Sequence, residues 1–123
     1  MSITYTTAVK NARLNAVTTA AGATAVLEIG TAGMAAILAT IPLANPIATG
    51  AASGVLTLTM PQSDTSADNT GTAAAARIRT ATGGTDIATG LTVGTGGTDI
   101  VLDSVSITAG QTVTINSAAI THA

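Results

Sequence analysis

The feature that most constrains this chain is a two-residue alternation of apolar and small polar side chains, repeated in short segments along its length. It is clearest at residues 54–60, where successive side chains fall on opposite sides: Leu56, Leu58 and Met60 against Val55, Thr57 and Thr59. Such a period places one set of side chains on each face of a β-strand. Threonine suits the exposed face, because its branched β-carbon packs well on a pleated surface.

The same alternation predicts strands through most of the chain. The other candidates are residues 25–29, 37–43, 73–80, 87–93, 100–107 and, as a last strand or a tail, 118–123. Pro42 favours an edge position for its strand, and Asn45-Pro46 favours a turn. In the 73–80 segment, the side chains predicted to point inward are Ala74, Ala76 and Ile78.

One segment near the N-terminus follows a helical period instead. Across residues 7–19 the apolar side chains recur at helical spacing: Val9, Ala12, Leu14, Ala16 and Val17. Lys10, Asn11 and Arg13 fall mostly away from them. A threonine at the start can cap such a helix, and Gly22 provides a stop.

The C-terminal third contains an internal repeat, since the sequence GGTDI at residues 83–87 recurs at residues 96–100. Each copy precedes an apolar run, so we predict two turn–strand units in one sheet. Asp86 and Asp99 are expected to fix these turns by accepting hydrogen bonds from backbone amides. We also expect an exposed loop over residues 62–71 and a hairpin over residues 107–115.

Roughly seven or eight short strands separated by turn residues are typical of an all-β sandwich or barrel. We therefore predict a mainly β fold: an antiparallel β-sandwich or jelly-roll-like barrel with one short N-terminal helix. The expected organisation is a single domain over residues 1–123, with the helix at about 7–19 and strands over about 24–120.

The composition excludes several classes of function. There is no cysteine, so thiol catalysis, disulfides and thiolate metal sites are ruled out. Tyr5 is the only aromatic residue, and the net charge is −2, which argues against nucleic-acid binding. Charged residues make up 8% of the chain, against about 25% in an ordinary domain. With a mean hydropathy of +0.53, this low charge favours surfaces that are buried against other subunits.

Three local patterns resemble ligand or catalytic sites only superficially. Asp64, Ser66 and Asp68 have the spacing of the first calcium ligands, but the later ligand positions fail, so we predict a hydrogen-bonded turn. Residues 94–99 lack the third glycine of a dinucleotide site. His122 has no organised nucleophile and is expected to lie in a tail. We therefore predict no catalytic residues, no metal site and no cofactor.

Two pairs of basic residues are the candidate contact sites. Arg77 and Arg79 are two apart, so a strand would present both on one face. They could form salt bridges with acidic groups of a partner subunit, or simply belong to a solvated sheet face. Lys10 and Arg13 form a similar pair on one side of the predicted helix, with the same two interpretations.

Four segments, spread over nearly the whole chain, give it a family likeness: residues 5–14 (YTTAVKNARL), 27–34 (LEIGTAGM), 63–68 (SDTSAD) and 103–113 (DSVSITAGQTV). In these segments the chain resembles a group of small virion proteins of tailed bacteriophages. The resemblance implies a head decoration or cement protein, which packs on the outside of the major capsid protein lattice. No binding residue can be transferred, because the group has no site motif that matches here.

The resemblance leads to a set of functional expectations. The protein is expected to be a structural virion component without enzymatic activity, made in the host cytoplasm and bound to the capsid exterior. Its expected partners are the major capsid protein and further copies of itself, as a dimer or trimer, with no nucleic acid and no membrane. No secretory signal is evident. The alternatives are a tail, neck or fibre-associated protein and, from a different class, a glycan-binding β-module.

Overall fold

The computed structural model of the chain describes residues 5–60 and 62–121. Within them lie one α-helix, α1 (Thr7–Ala21), and a short 3₁₀ turn at Ala32–Met34. The strands are β1 (Val26–Gly30), β2 (Ile37–Pro42), β3 (Ala48–Ala52), β4 (Val55–Leu58), β5 (Gln62–Asp64), β6 (Gly71–Thr72), β7 (Ala75–Arg79), β8 (Asp86–Gly94), β9 (Ile100–Leu102), β10 (Ser106–Ile107) and β11 (Val113–Thr121).

Nine of these strands form one sheet that curls into a half-barrel. The strand order is β2-β1-β7-β8-β9-β11-β4-β3, with β5 also paired to β11, and β6 pairs separately with β10. The described pairings are antiparallel except for a short parallel contact between β8 and β9. The predicted mainly β fold with one N-terminal helix is therefore confirmed, although the sheet is mixed. β2 lies at one end of the order, as its proline indicated.

The core is built from large aliphatic side chains set among alanines. The largest fully buried ones are Leu27, Ile29, Leu38, Ile41, Ile47, Leu56, Ile78, Ile100, Ile107 and Ile115. In β7 the predicted alternation holds for Ala76 and Ile78, which are fully buried. It is wrong two residues earlier: Ala74 was predicted to point inward but is exposed, and its neighbour Ala73 is buried, because the regular strand begins only at Ala75.

The segment predicted as an exposed loop, residues 62–71, lies along the free edge of β2. Its first residues form β5, and Ala67 is buried. The backbone N–H of Asp68 donates to the carbonyl of Leu38 over 2.7 Å, and the Thr40 amide donates to the Asp64 carboxylate over 3.0 Å. The prediction holds for residues 65–70, which form a loop that is exposed except at Ala67, and it is wrong for β5 and for Gly71, which begins β6. The bonds to Leu38 and Thr40 satisfy the open edge of β2, which has no strand neighbour on that side.

The internal repeat does form two neighbouring turn–strand units, β8 and β9, as predicted. Asp99 fixes its turn by accepting from the Thr92 amide at 3.0 Å, whereas Asp86 pairs with Arg79 instead. The predicted hairpin over residues 107–115 is wrong. The chain does turn after Thr108, but β10 pairs with β6, and β11 pairs with β4, β5 and β9.

Helix α1 packs against β3, β4 and β8, and it buries Leu14 and Ala21. The Thr6 side chain caps its start by accepting from the Val9 amide. Gly22 ends it with φ of 68°, a left-handed conformation that favours glycine. The helix is thus two residues longer at its C-terminus than the sequence predicted.

Candidate interaction surfaces

Two amide side chains of α1 hydrogen-bond to the sheet and its turns, beside the packing of Leu14 and Ala21. Asn15 Oδ1 accepts from the backbone N–H of Ala51 in β3 over 2.8 Å. Asn11 Oδ1 accepts from the N–H of Gly54, in the turn after β3, over 2.9 Å. β3 is the last strand of the sheet, so these bonds occupy donors on an edge that would otherwise be open.

This docking buries Leu14 and Ala21 and leaves other apolar side chains of the segment exposed on the opposite side. Tyr5 and Val9 are 39% and 42% exposed, and Ala12 and Ala16 are exposed as well. The expectation that Asn11 falls away from the packed face was wrong, because its amide is needed at the sheet edge. We call the exposed group formed by Tyr5, Val9, Ala12, Arg13 and Ala16 the helix surface.

The two basic residues of α1 have different environments. The guanidinium carbon of Arg13 lies 4.5 Å from the centroid of the Tyr5 ring, a cation–π stack at the edge of the helix surface. Lys10 is half-buried, and its Cδ lies near Gly54. Among the described residues, neither forms a salt bridge, and no Asp or Glu precedes Glu28 in the sequence.

Arg77 and Arg79, in contrast, are neutralised within the chain. Both lie on the outer face of β7, opposite the buried Ile78, as the alternation predicted. Arg77 Nε donates to Glu28 Oε1 over 2.6 Å, and Arg79 Nη1 lies 3.6 Å from the same oxygen. Glu28 belongs to β1 directly across from Arg77 and is 5% exposed.

Arg79 has two further partners on the other side. Its Nη2 donates to the Gly84 carbonyl over 2.6 Å, and its Nε lies 2.9 Å from Asp86 Oδ1. The Nε–H does not point at that oxygen, so the contact with Asp86 is an ion pair rather than a hydrogen bond. We call these four side chains, Glu28, Arg77, Arg79 and Asp86, the charge cluster. Sequence reasoning missed Glu28, although the alternation of β1 would have placed it outward between the inward Leu27 and Ile29.

The structure does not bring the two basic pairs together. One pair lies on α1 and the other on β7, and among the described residues they share no acidic partner. The Arg77–Arg79 pair meets acidic groups of its own chain. The Lys10–Arg13 pair has no such counterpart in the part of the chain that the structure describes.

The remaining sequence patterns belong to turns. Asp64 Oδ1 accepts from the Ser66 amide over 3.0 Å, which confirms the predicted hydrogen-bonded turn. Residues 95–99 make the tight loop between β8 and β9, with a strand and no helix after it. No cluster of three potential metal ligands occurs within residues 5–60 and 62–121. His122 lies outside the described residues.

A shallow cleft of about 110 Å³ opens between β9 and the start of β11. Its lining residues are Leu102, Asp103, Ser104, Ile107, Gln111, Thr112, Val113 and Thr114. Pockets that enclose drug-sized ligands measure about 300–1,000 Å³. The cleft is therefore a small surface depression beside these strands.

No family model, curated protein or solved structure matches this chain. The only helix in the described residues, α1, is too short and too polar to cross a lipid bilayer.

Proposed function

We propose that this protein is a head decoration protein of a tailed bacteriophage, which binds the outside of the major capsid protein lattice and stabilises the head. The proposal starts from the likeness of the four sequence segments to small phage virion proteins. It is supported by one structural observation above all: the helix surface presents its largest apolar side chains, Tyr5 and Val9, to solvent. A subunit of a larger assembly can bury such a face against its neighbours.

The scaffold suits this role. A half-barrel whose sheet edges are occupied by its own loop and helix resists unwanted strand pairing with neighbours. Many copies on a repeating lattice would bind through many contacts at once, so each single contact can remain modest. The proposed contact surface lies on α1 rather than on β7, because Arg77 and Arg79 would have to break or share their existing ion pairs to reach a partner.

The test is the number of copies per purified virion, measured by quantitative mass spectrometry and normalised to the major capsid protein. One copy per capsid subunit, or a simple fraction of that number, is expected for a decoration protein. A handful of copies would instead support the alternative role in the tail, neck or a fibre. Absence from the virion would overturn the proposal and make the glycan-binding module, testable on a glycan array, the leading candidate.

A further inference from the structure

We infer that the helix surface is the docking face of this protein, and that it binds an apolar groove with carboxylates at its rim on the major capsid protein. This inference rests on the proposed function and adds to it which face binds and what chemistry the partner offers. It follows from the charge distribution of α1, the residue types on its exposed side and a departure from helix-capping preference at Val9.

The positive charge of Arg13 indicates the chemistry of the partner. Arg13 stands beside exposed apolar side chains and has no carboxylate within salt-bridge distance in the described structure. The other two arginines of the chain both meet an acid. A partner with carboxylates beside an apolar groove would supply the missing counter-charge and cover Val9, Ala12 and Ala16 in one contact.

The same charge argues against a second copy in a face-to-face arrangement. In a two-fold contact each helix surface would meet itself. Each Arg13 would then lie against a surface that carries another Arg13 and no acid, since no Asp or Glu precedes Glu28. Like charges placed together at an interface cost several kcal/mol, which selects against that pairing.

Two of the five residues on this surface, Tyr5 and Arg13, are of types that carry much of the binding energy in protein interfaces. Tyrosine and arginine are enriched among the residues that dominate affinity. Stacking of Arg13 on the Tyr5 ring holds both side chains in place before binding, so less conformational entropy is lost on docking. Ala12 and Ala16 let a partner approach the helix backbone closely.

Val9 occupies a position where another residue type would make the first turn of α1 more stable. It is the third residue after the cap Thr6, and the first turn of α1 contains no acid. Glutamate at this position would complete a capping box with Thr6, and it would also stand four residues before Arg13. A half-exposed valine occupies the position instead, and departures of this kind from local preference occur at functional sites.

The test compares three variants of the full-length protein that each lower the net charge by one: Val9→Glu, Arg13→Gln and, as the matched control, Thr82→Glu. Thr82 is exposed in the turn between β7 and β8. The probe is purified phage heads from which the protein has been deleted, and binding is measured by co-sedimentation at increasing NaCl. Far-UV circular dichroism and thermal unfolding report folding.

We expect Val9→Glu to fold at least as stably as the wild type and yet bind the heads at least about tenfold more weakly. Arg13→Gln should weaken binding at low salt and reduce its dependence on NaCl. Thr82→Glu should bind like the wild type. If Val9→Glu and Arg13→Gln both bind the heads as tightly as the wild type does, the helix surface is not the docking face, and the proposed function stands.

Two other results would overturn the inference in different ways. If the wild type itself does not bind the heads, the proposed function fails and the docking inference fails with it. If Val9→Glu dissociates an oligomer of the free protein, measured by light scattering, the helix surface is occupied by a second copy. Either result can be distinguished from loss of the docking face alone.

Discussion

Replacing Glu28 with glutamine should destabilise the fold through the two arginines that it leaves behind. Glu28 is the only glutamate of the chain and is almost fully buried on the outer face of β1. It joins β1 to β7 through Arg77 and also contacts Arg79. Glutamine keeps the shape and one acceptor oxygen, so the substitution removes the negative charge while leaving the packing nearly unchanged.

The expected loss can be estimated from the exposure of the partners. Removing one member of a fully buried ion pair costs about 3–5 kcal/mol, because the other charge is left without compensation. Here the side chains of Arg77 and Arg79 are 24% and 22% exposed, so water recovers part of that loss. Arg79 also keeps Asp86 and the Gly84 carbonyl. We therefore expect a loss of about 2 kcal/mol, equivalent to a fall in Tm of roughly 6–10 °C.

Urea unfolding followed by far-UV circular dichroism measures this loss, with Asp103→Asn as the matched control. Asp103 has an exposed side chain that accepts one hydrogen bond from Asn116, and its substitution should cost under about 0.5 kcal/mol. A double-mutant cycle of Glu28→Gln with Arg77→Gln should show a coupling energy of about 1–2 kcal/mol. If Glu28→Gln is no more destabilising than Asp103→Asn, Arg77 is effectively solvated and the reasoning about the charge cluster is wrong.

Two more substitutions test the packing. Asn15→Ala should lower the free energy of unfolding in urea by about 1 kcal/mol, since the Ala51 N–H loses its acceptor at 2.8 Å. Hydrogen exchange at the Ala51 amide should become faster. Unchanged exchange there would show that water replaces the bond freely. Gly30→Ala should cost about 1–3 kcal/mol, because the new Cβ would lie 2.7 Å from the carbonyl oxygen of Ala36. The control for Gly30→Ala is Gly96→Ala, where a Cβ would meet no atom within 4 Å. Equal stability of the two variants would contradict the close approach of a Cβ at position 30 to the Ala36 carbonyl.

The fold class could be predicted from the sequence because strands obey a local rule. The two-residue period depends only on which side chains face the core, so it located β1, β2, β4 and β7 to within a few residues. Strand pairing depends on contacts between distant segments and leaves no such local pattern. That is why the expected hairpin at 107–115 was wrong: β10 pairs with β6 in a separate two-stranded sheet, and β11 pairs within the nine-stranded sheet.

The candidate sites were predictable only in part, for the same reason. The alternation placed Arg77 and Arg79 on one face, but their partner Glu28 is 49 residues from Arg77 in the sequence, and only the pairing of β1 with β7 brings them together. Lys10 and Arg13 were identified as a pair, yet the helix presents them to different surroundings. A helical wheel shows which residues share a side, and it does not show which side meets the sheet.

The orientation of α1 explains how one short helix can serve both the fold and an interface. Leu14 and Ala21 are buried on the packed side, but β3 ends the sheet, and its alanines offer the helix little further apolar area. Two amide acceptors, Asn11 and Asn15, bind backbone N–H groups there. Leu14 adds the buried anchor between them. Because stability then depends on one side of α1 and the exposed apolar residues lie on the other, substitutions at Ala12 or Ala16 should change binding without unfolding the protein.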